Sequence, residues 1–203
     1  MTKFIKCFSI FIFIFINSSI YAKIIKIENG IAISSFHSKD LNILKQPITT
    51  YSALVGLDYW ENKNFYLSSE LGYLKKGGKE KNDFLPDDAH KIKESWNFIH
   101  LNTTIRFRLR IEKDIHFFVG AGPKLDILIS SKEFKNFIYK DYKMNTLSFG
   151  AKGEFGFTKD FNDIRTGINF SYLYDLGRAA NSDFINLKNN AYMIMLSIGY
   201  NLR

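Results

Sequence analysis

The chain reads as an all-β protein, an eight-stranded antiparallel up-and-down transmembrane β-barrel. Three observations predict it: a two-residue period of apolar side chains through eight segments, a strict alternation of short and long connections between them, and an export signal ahead of the first. Composition agrees. The 203 residues hold 20 Phe and 11 Tyr but three Pro, a bias that suits pleated strands, and the length suits one domain.

Residues 1–22 are set apart as a cleaved secretory signal peptide, leaving 23–203 as the barrel domain. Lys3 and Lys6 form a positive start, CFSIFIFIFI from Cys7 to Ile16 is an apolar core, and NSSIYA leads to the small residue Ala22. The apolar run falls short of the roughly 18 residues that cross a bilayer as a helix. Cys7 is the only cysteine and follows Phe4-Ile5-Lys6, where a lipoprotein signal places small and apolar residues. The mature chain then has no thiol, disulfide or cysteine metal site.

Removal of Lys3 and Lys6 takes the basic count from 28 to 26 against 20 acidic residues, a net charge of +6. Export and the scatter of those basic residues exclude a nucleic-acid partner. Outer-membrane lipid and lipopolysaccharide phosphates are the acidic partners that fit, and no cofactor is implied.

The eight segments follow in order, each near or above the 9–11 residues or so that a tilted strand needs to cross hydrocarbon. Ile24 to Phe36 sets Ile31 and Ile33 outward against Glu28, Gly30 and Ala32. Thr49 to Trp60 sets Tyr51, Ala53, Val55, Leu57 and Tyr59 against Ser52, Gly56 and Asp58. Phe65 to Lys75 sets Leu67, Leu71 and Tyr73 against Ser68, Glu70 and Gly72. Ser95 to Arg110 sets Ile99, Leu101, Ile105 and Phe107 against His100, Asn102, Thr104, Arg106 and Arg108.

The second half repeats the pattern. Ile115 to Ile129 sets Phe117, Val119 and Leu125 against His116, Gly120, Gly122, Lys124 and Asp126. Met144 to Thr158 sets Leu147, Phe149, Ala151, Phe155 and Phe157 against Ser148, Gly150, Lys152, Glu154 and Gly156. Asp163 to Leu176 sets Ile168, Phe170, Tyr172 and Tyr174 against Arg165, Gly167, Asn169, Ser171 and Asp175. Ala191 to Leu202 sets Tyr192, Ile194, Leu196, Ile198 and Tyr200 against Ser197 and Gly199.

The apolar phase is expected to face lipid, with tyrosines near strand ends as an aromatic girdle. The opposite phase is expected to fill the lumen, which in an eight-stranded barrel is only wide enough for side chains. There Glu28, Asp58, Glu70, Asp126, Glu154 and Asp175 offset Arg106, Arg108, Lys124, Lys152 and Arg165 in a polar network.

Connections sort the two ends. Glu61–Asn64, Ile111–Asp114 and Lys159–Asn162 are short polar turns; HSKDLNILKQPI, KGGKEKNDFLPDDAHKIKE, SSKEFKNFIYKDYK and GRAANSDFINLKNN are long. Outer-membrane barrels have short periplasmic turns and long external loops, so both mature termini are expected in the periplasm. The chain closes on Tyr200-Asn201-Leu202-Arg203, where such barrels usually end on an aromatic. Leu196, Ile198, Tyr200 and Leu202 still keep one apolar face.

Rival readings meet specific obstacles. A soluble lipocalin-like barrel would turn its apolar phase inward, and the opposite phase carries charges that could not line a greasy pocket cheaply. A passive pore needs a wider or emptier lumen. A lipopolysaccharide-modifying enzyme needs a nucleophile and base together near the outer leaflet. Ser95, Ser130, Ser131 and Ser182 lie at that end with His37 and His90, at no triad spacing. His100 and His116 share the inward phase as acid–base candidates, and Asp87, Asp88 and His90 form a sparse loop cluster without the ligand count of a metal site. The loop Lys132 to Lys143, KEFKNFIYKDYK, has a composition suited to contacting a partner or lipid headgroups.

The stretch Tyr51 to Lys79, YSALVGLDYWENKNFYLSSELGYLKKGGK, resembles a hairpin of the PorT-like outer-membrane β-barrel family of Bacteroidota. FFVGAGPKLDILI at Phe117 to Ile129 is similar to that family's G-x-G-P strand, and TGINFSYLYDLG with LSIGYNL to its closing pair. The resemblance covers the mature chain. It implies an integral outer-membrane barrel, some of whose relatives take part in protein secretion while most have no assigned activity. With no catalytic constellation in view, a non-enzymatic structural or interaction role in the envelope is expected.

Overall fold

A computed structural model describes residues 22–37, 44–81, 91–129, 143–177, 180–181 and 186–202. Residues 1–21 of the signal segment, Asp87, Asp88, His90, Ser130, Ser131, Ser182 and most of the Lys132 to Lys143 loop lie outside the described residues. Eight long strands carry the wall: β1 (Ala22–His37), β2 (Ile48–Asn62), β3 (Phe65–Lys81), β4 (Lys91–Arg110), β5 (Ile115–Leu128), β7 (Leu147–Phe161), β8 (Ile164–Asp175) and β10 (Asn186–Asn201). Two-residue strands β6 (Lys143–Met144) and β9 (Ala180–Asn181) add a short flap against β10.

All pairings are antiparallel, in the order β1-β2-β3-β4-β5-β7-β8-β10, and β10 pairs with β1 to close the wall. Closure leaves no unpaired edge among the long strands. Hydrogen-bonded neighbours can be followed once around the wall from Ile24 through Asp58, Ser68 and Thr104, then Gly122, Lys152, Leu173 and Ala191 to Ser34. The Thr104 to Gly122 step keeps the register of Asn102–Lys124 and Ile105–Ala121 on either side of it. The circuit returns ten residues further along β1. Such a stagger with eight strands tilts them by roughly 40°, so a 14-residue strand such as β5 rises about 35 Å, enough to cross a core of about 30 Å.

Long strands correct two sequence boundaries. β3 and β4 run on to Lys81 and back from Lys91, paired residue for residue, through KGGKEK and KIKE, which the sequence predicts as loop. Cross-strand pairing there overrides the turn preference of Gly77 and Gly78. At the other end β7 extends to Phe161, and the turn is Asn162–Asp163. Asn162 takes φ 52° there, a conformation asparagine tolerates better than most residues.

The wall faces outward with its apolar phase. Phe149, Phe155, Phe157, Tyr174, Tyr192, Leu196, Ile198 and Tyr200 are all exposed on the isolated chain, and neighbouring strands stack their aromatics, as Phe155 does on Phe170 at 5.3 Å. Leu71, Tyr73, Phe107, Phe170 and Tyr172 share that phase and are half-exposed between their neighbours. Tyr59 departs from expectation. It is only 7% exposed, because its hydroxyl bonds Ser69 Oγ at 2.9 Å, and Ser69 in turn bonds Thr103 Oγ1 at 2.8 Å. These three polar groups lie on the outer face and satisfy one another.

Candidate functional site

Among the described residues the interior gathers the buried ionisable chemistry. Alternation along each strand sends every second residue inward, and β1 to β8 deliver five cations, Lys26, Lys76, Arg106, Lys124 and Lys152. Facing them are six carboxylates, Glu28, Asp58, Glu70, Asp126, Glu154 and Asp175. All eleven are buried. Buried charge is tolerated when paired and hydrogen-bonded, and the groups pair in two linked clusters, in which Asp58 Oδ1 and Glu28 Oε2 are the carboxylate oxygens left without a hydrogen bond among the described residues.

The first cluster centres on Glu70 and Glu154. Glu70 accepts from Lys26 Nζ at 2.8 Å, Arg106 Nη2 at 2.6 Å, Lys152 Nζ at 2.5 Å and Asn102 Nδ2 at 3.0 Å. Glu154 accepts from Arg106 Nε at 2.7 Å and Nη2 at 2.9 Å, from Thr104 Oγ1 at 2.6 Å and from Asn169 Nδ2 at 3.0 Å. Arg106 thus bridges two carboxylates with its fork, and its guanidinium lies over the Phe118 ring at 4.7 Å. Lys26 also meets Glu28 at 2.8 Å and Asp58 at 3.5 Å.

The second cluster lies nearer the loop end. Asp126 meets Lys76 Nζ and Lys124 Nζ, each at 2.7 Å, and His100 Nδ1 at 2.5 Å. Asp175 pairs with Lys124 and, at 3.3 Å, with Lys76. Asn102 Nδ2 sits 3.0 Å from His100 Nε2 and also donates to Glu70. An amide donor at Nε2 assigns the imidazole proton to Nδ1, where it is given to Asp126. Asn102 and His100 therefore join the two clusters.

Apolar side chains share the lumen, against the expectation of a small and polar inward phase. Ala32, Leu54, Leu74, Leu173, Ala191, Met193 and Met195 form a buried cluster beside the second ionic cluster. Toward the loop end Phe36 meets Trp96 edge-on at 5.4 Å, with Leu44, Ile48, Phe98 and Leu128 buried around them. A cavity the size of a water molecule remains near the turn end, between Lys26, Asp58, Arg106, Phe118 and Asn169. Among the described residues the lumen is filled.

Arg108 and Arg165, expected within the network, sit at its rim. Arg108 pairs with Glu61, and its guanidinium lies over the Tyr66 ring; Arg165 pairs with Asp160 at 2.5 Å. His116 is near the same rim, 3.7 Å from Asp160. Lys26 and Lys76 were missed from the sequence. Lys26 lies two positions before Glu28 on the same phase and was legible; Lys76 lay beyond the strand end assigned at Lys75.

Among the described residues the candidate catalytic groups stay apart. His100 is enclosed by Asp126 and Asn102, and β2 and β3 lie between His37 on β1 and Ser95 on β4. Among the described residues no group of three His, Cys, Asp or Glu side chains forms a metal site.

A closed eight-strand wall, apolar outside and ion-paired inside, is the geometry on which comparison with other proteins bears. Residues 24–202 match the profile of a family described as outer membrane protein beta-barrel domain. The chain belongs to that family. OprG from Pseudomonas aeruginosa is 13% identical, with 90% of this chain and 97% of that chain aligned at a TM-score of 0.59. Neisserial surface protein A is 12% identical, with 88% of this chain and 97% of that chain aligned at a TM-score of 0.54. At those identities the likeness is one of fold. No curated protein sequence matches the chain. Family and outward-facing apolar wall together replace the soluble-barrel alternative with an outer-membrane barrel.

Proposed function

We propose that this outer-membrane barrel is a non-enzymatic structural or interaction component of the envelope. The observation that carries this reading is the filled lumen. Among the described residues, the eleven buried groups of the two ionic clusters and the apolar cluster beside them occupy the space that a solute passage or a greasy pocket would need, which supports a barrel acting through its wall and its ends. Export through a signal cleaved after Ala22, with both termini periplasmic and the long loops outside, belongs to the same reading and rests on the alternation of short and long connections. A place among proteins of secretion or envelope assembly follows from the PorT-like resemblance of the Tyr51 to Lys79 hairpin.

Mild-detergent extraction of the outer-membrane fraction, followed by mass determination of whatever carries this chain, tests the reading. A large assembly supports it and names its partners. A lone chain redirects it toward a free-standing barrel, and steady small-solute conductance of the purified protein in a planar bilayer overturns it.

A further inference from the structure

Charge on the outer surface is distributed unevenly between the two ends of the barrel. At the turn end both signs mix: Lys23 pairs with Glu61 at 3.0 Å, Arg165 with Asp160, and Glu112, Lys113 and Asp114 are exposed together in one turn. At the loop end of β3 and β4 the described charges on the outward phase are of one sign. Glu80 turns inward to accept from the Leu44 amide at 3.2 Å, and Glu94 is buried. Lys76 points into the lumen, whereas Lys75, Lys79 and Lys93 turn outward, Lys79 and Lys93 exposed and Lys75 half-exposed.

Lys79 and Lys93 are direct cross-strand partners, and Lys75 stands four residues below Lys79 on the same face. Like charges directly opposite each other destabilise an antiparallel pair. None of the three lysines has an ion-pair partner among the described residues. Polar groups fill the space between them: Ser95 is paired opposite Gly77, and Asn97 opposite Lys75. Just below, Tyr73 donates to Asn97 Oδ1 at 2.8 Å, and the exposed Ile99 begins the apolar wall. The patch therefore stands directly above a surface made for acyl chains, with donors but no described acid facing outward.

We propose that Lys75, Lys79 and Lys93, with Ser95 and Asn97, form a docking surface for the phosphate-bearing headgroup of an outer-leaflet glycolipid, whose acyl chains lie against Tyr73 and Ile99. Charge complementarity and depth argue for this occupant over a soluble anion, because the cations continue a lipid-facing strand pair upward from its aromatic level. An anion between Lys79 and Lys93 turns their repulsion into shared attraction. The inference rests on the orientation proposed above, with the loop end outside.

The test uses the full chain in nanodiscs of zwitterionic phospholipid, titrated with lipid A and with its dephosphorylated form and read by native mass spectrometry. Lipid A should bind well above the dephosphorylated form, and binding should weaken as salt is raised. The pair Lys79→Gln with Lys93→Gln should lower affinity roughly twenty-five-fold, about five-fold per lysine, whereas Lys79→Arg with Lys93→Arg should retain it. Lys23→Gln at the turn end should change nothing. Equal binding of both lipid forms, or undiminished binding by the Gln pair, overturns the proposal and returns the lysines to charges neutralised by the β3–β4 loop. If the Gln pair does not assemble, the salt dependence and lipid preference of the native chain decide alone. Labelling of Lys79→Cys on intact cells with an impermeant maleimide separates the two failures. Absent labelling removes the orientation; labelling without lipid A binding removes only the docking surface.

Discussion

Arg106 and Glu154 meet at 2.7 Å although a whole strand runs between them. The residue in register with both on that strand, β5, is Gly120, and a Cβ placed there would come within 2.8 Å of Arg106 Cγ and 3.2 Å of Glu154 Oε1. The same device recurs twice. Lys26 reaches Glu70 over Gly56, and Lys124 reaches Asp175 over Gly150. Neighbouring strands lie about 4.8 Å apart, so a pair two strands apart must cross the floor between them. A glycine leaves that floor clear.

Gly120→Val should therefore separate Arg106 from Glu154 and destabilise the folded barrel by about 3 kcal/mol, the sum of overpacking and a weakened buried pair. Urea unfolding in detergent micelles measures it. Gly153 supplies the control, since a Cβ there meets nothing within 4 Å. Gly153→Ala should be neutral or stabilise by about 0.5 kcal/mol, and an equal loss in both variants would show that the glycines matter for backbone rather than for space.

Arg106 faces Asp58 at 3.9 Å as well as Glu70 and Glu154. Arg106→Met leaves those carboxylates short of a cation and should cost about 3–5 kcal/mol. Combining it with Glu154→Gln should recover part of that loss, because the second change removes one of the stranded charges. A coupling of roughly 1 kcal/mol or more in the double-mutant cycle is expected; simple additivity would mean that the two side chains act independently.

Legibility from sequence followed what each residue's own strand could show. Phe149, Phe155 and Phe157 announce the outer face by period alone, and Lys152 and Glu154 the inner one. Met193, Met195, Leu54 and Leu173 carry the opposite message: they are apolar residues on inward positions, so their strands read as apolar on both phases. Only the register across β1, β2, β8 and β10 collects them into one cluster. Lys76 was hidden by KKGGKEK, whose glycines and charges mimic a loop until β4 is seen paired along it. The glycine-spanned ion pairs were hidden for a related reason, since they join residues 44 to 51 positions apart.

Tyr59 tests the hydroxyl chain on the outer wall. Tyr59→Phe removes one hydrogen bond and leaves Ser69 with Thr103, at an expected cost of about 1 kcal/mol. Ser69→Ala strands two hydroxyls on an apolar surface and should cost more, about 1–3 kcal/mol. Unfolding midpoints in the reverse order would mean that Tyr59 is held by packing rather than by its hydroxyl.

Depth in the bilayer can be read from β7 alone. Phe155 and Phe161 share the outward phase and are almost equally exposed, 49% and 50%. Six residues of tilted strand separate them by about 15 Å along the barrel axis, half the thickness of a hydrocarbon core of about 30 Å. If Phe155 lies at the midplane, Phe161 lies at the interface, where Lys159 already reaches over its ring at 4.9 Å. Arginine placed at the two sites meets different solvents. Phe155→Arg should cost about 2–4 kcal/mol and Phe161→Arg about 0–1 kcal/mol, measured by unfolding from phospholipid bilayers. The difference should vanish when the same variants are unfolded from a soluble amphiphilic polymer, because only the bilayer imposes a gradient between the two depths. Equal costs in lipid would show that the hydrocarbon band is centred elsewhere on the wall.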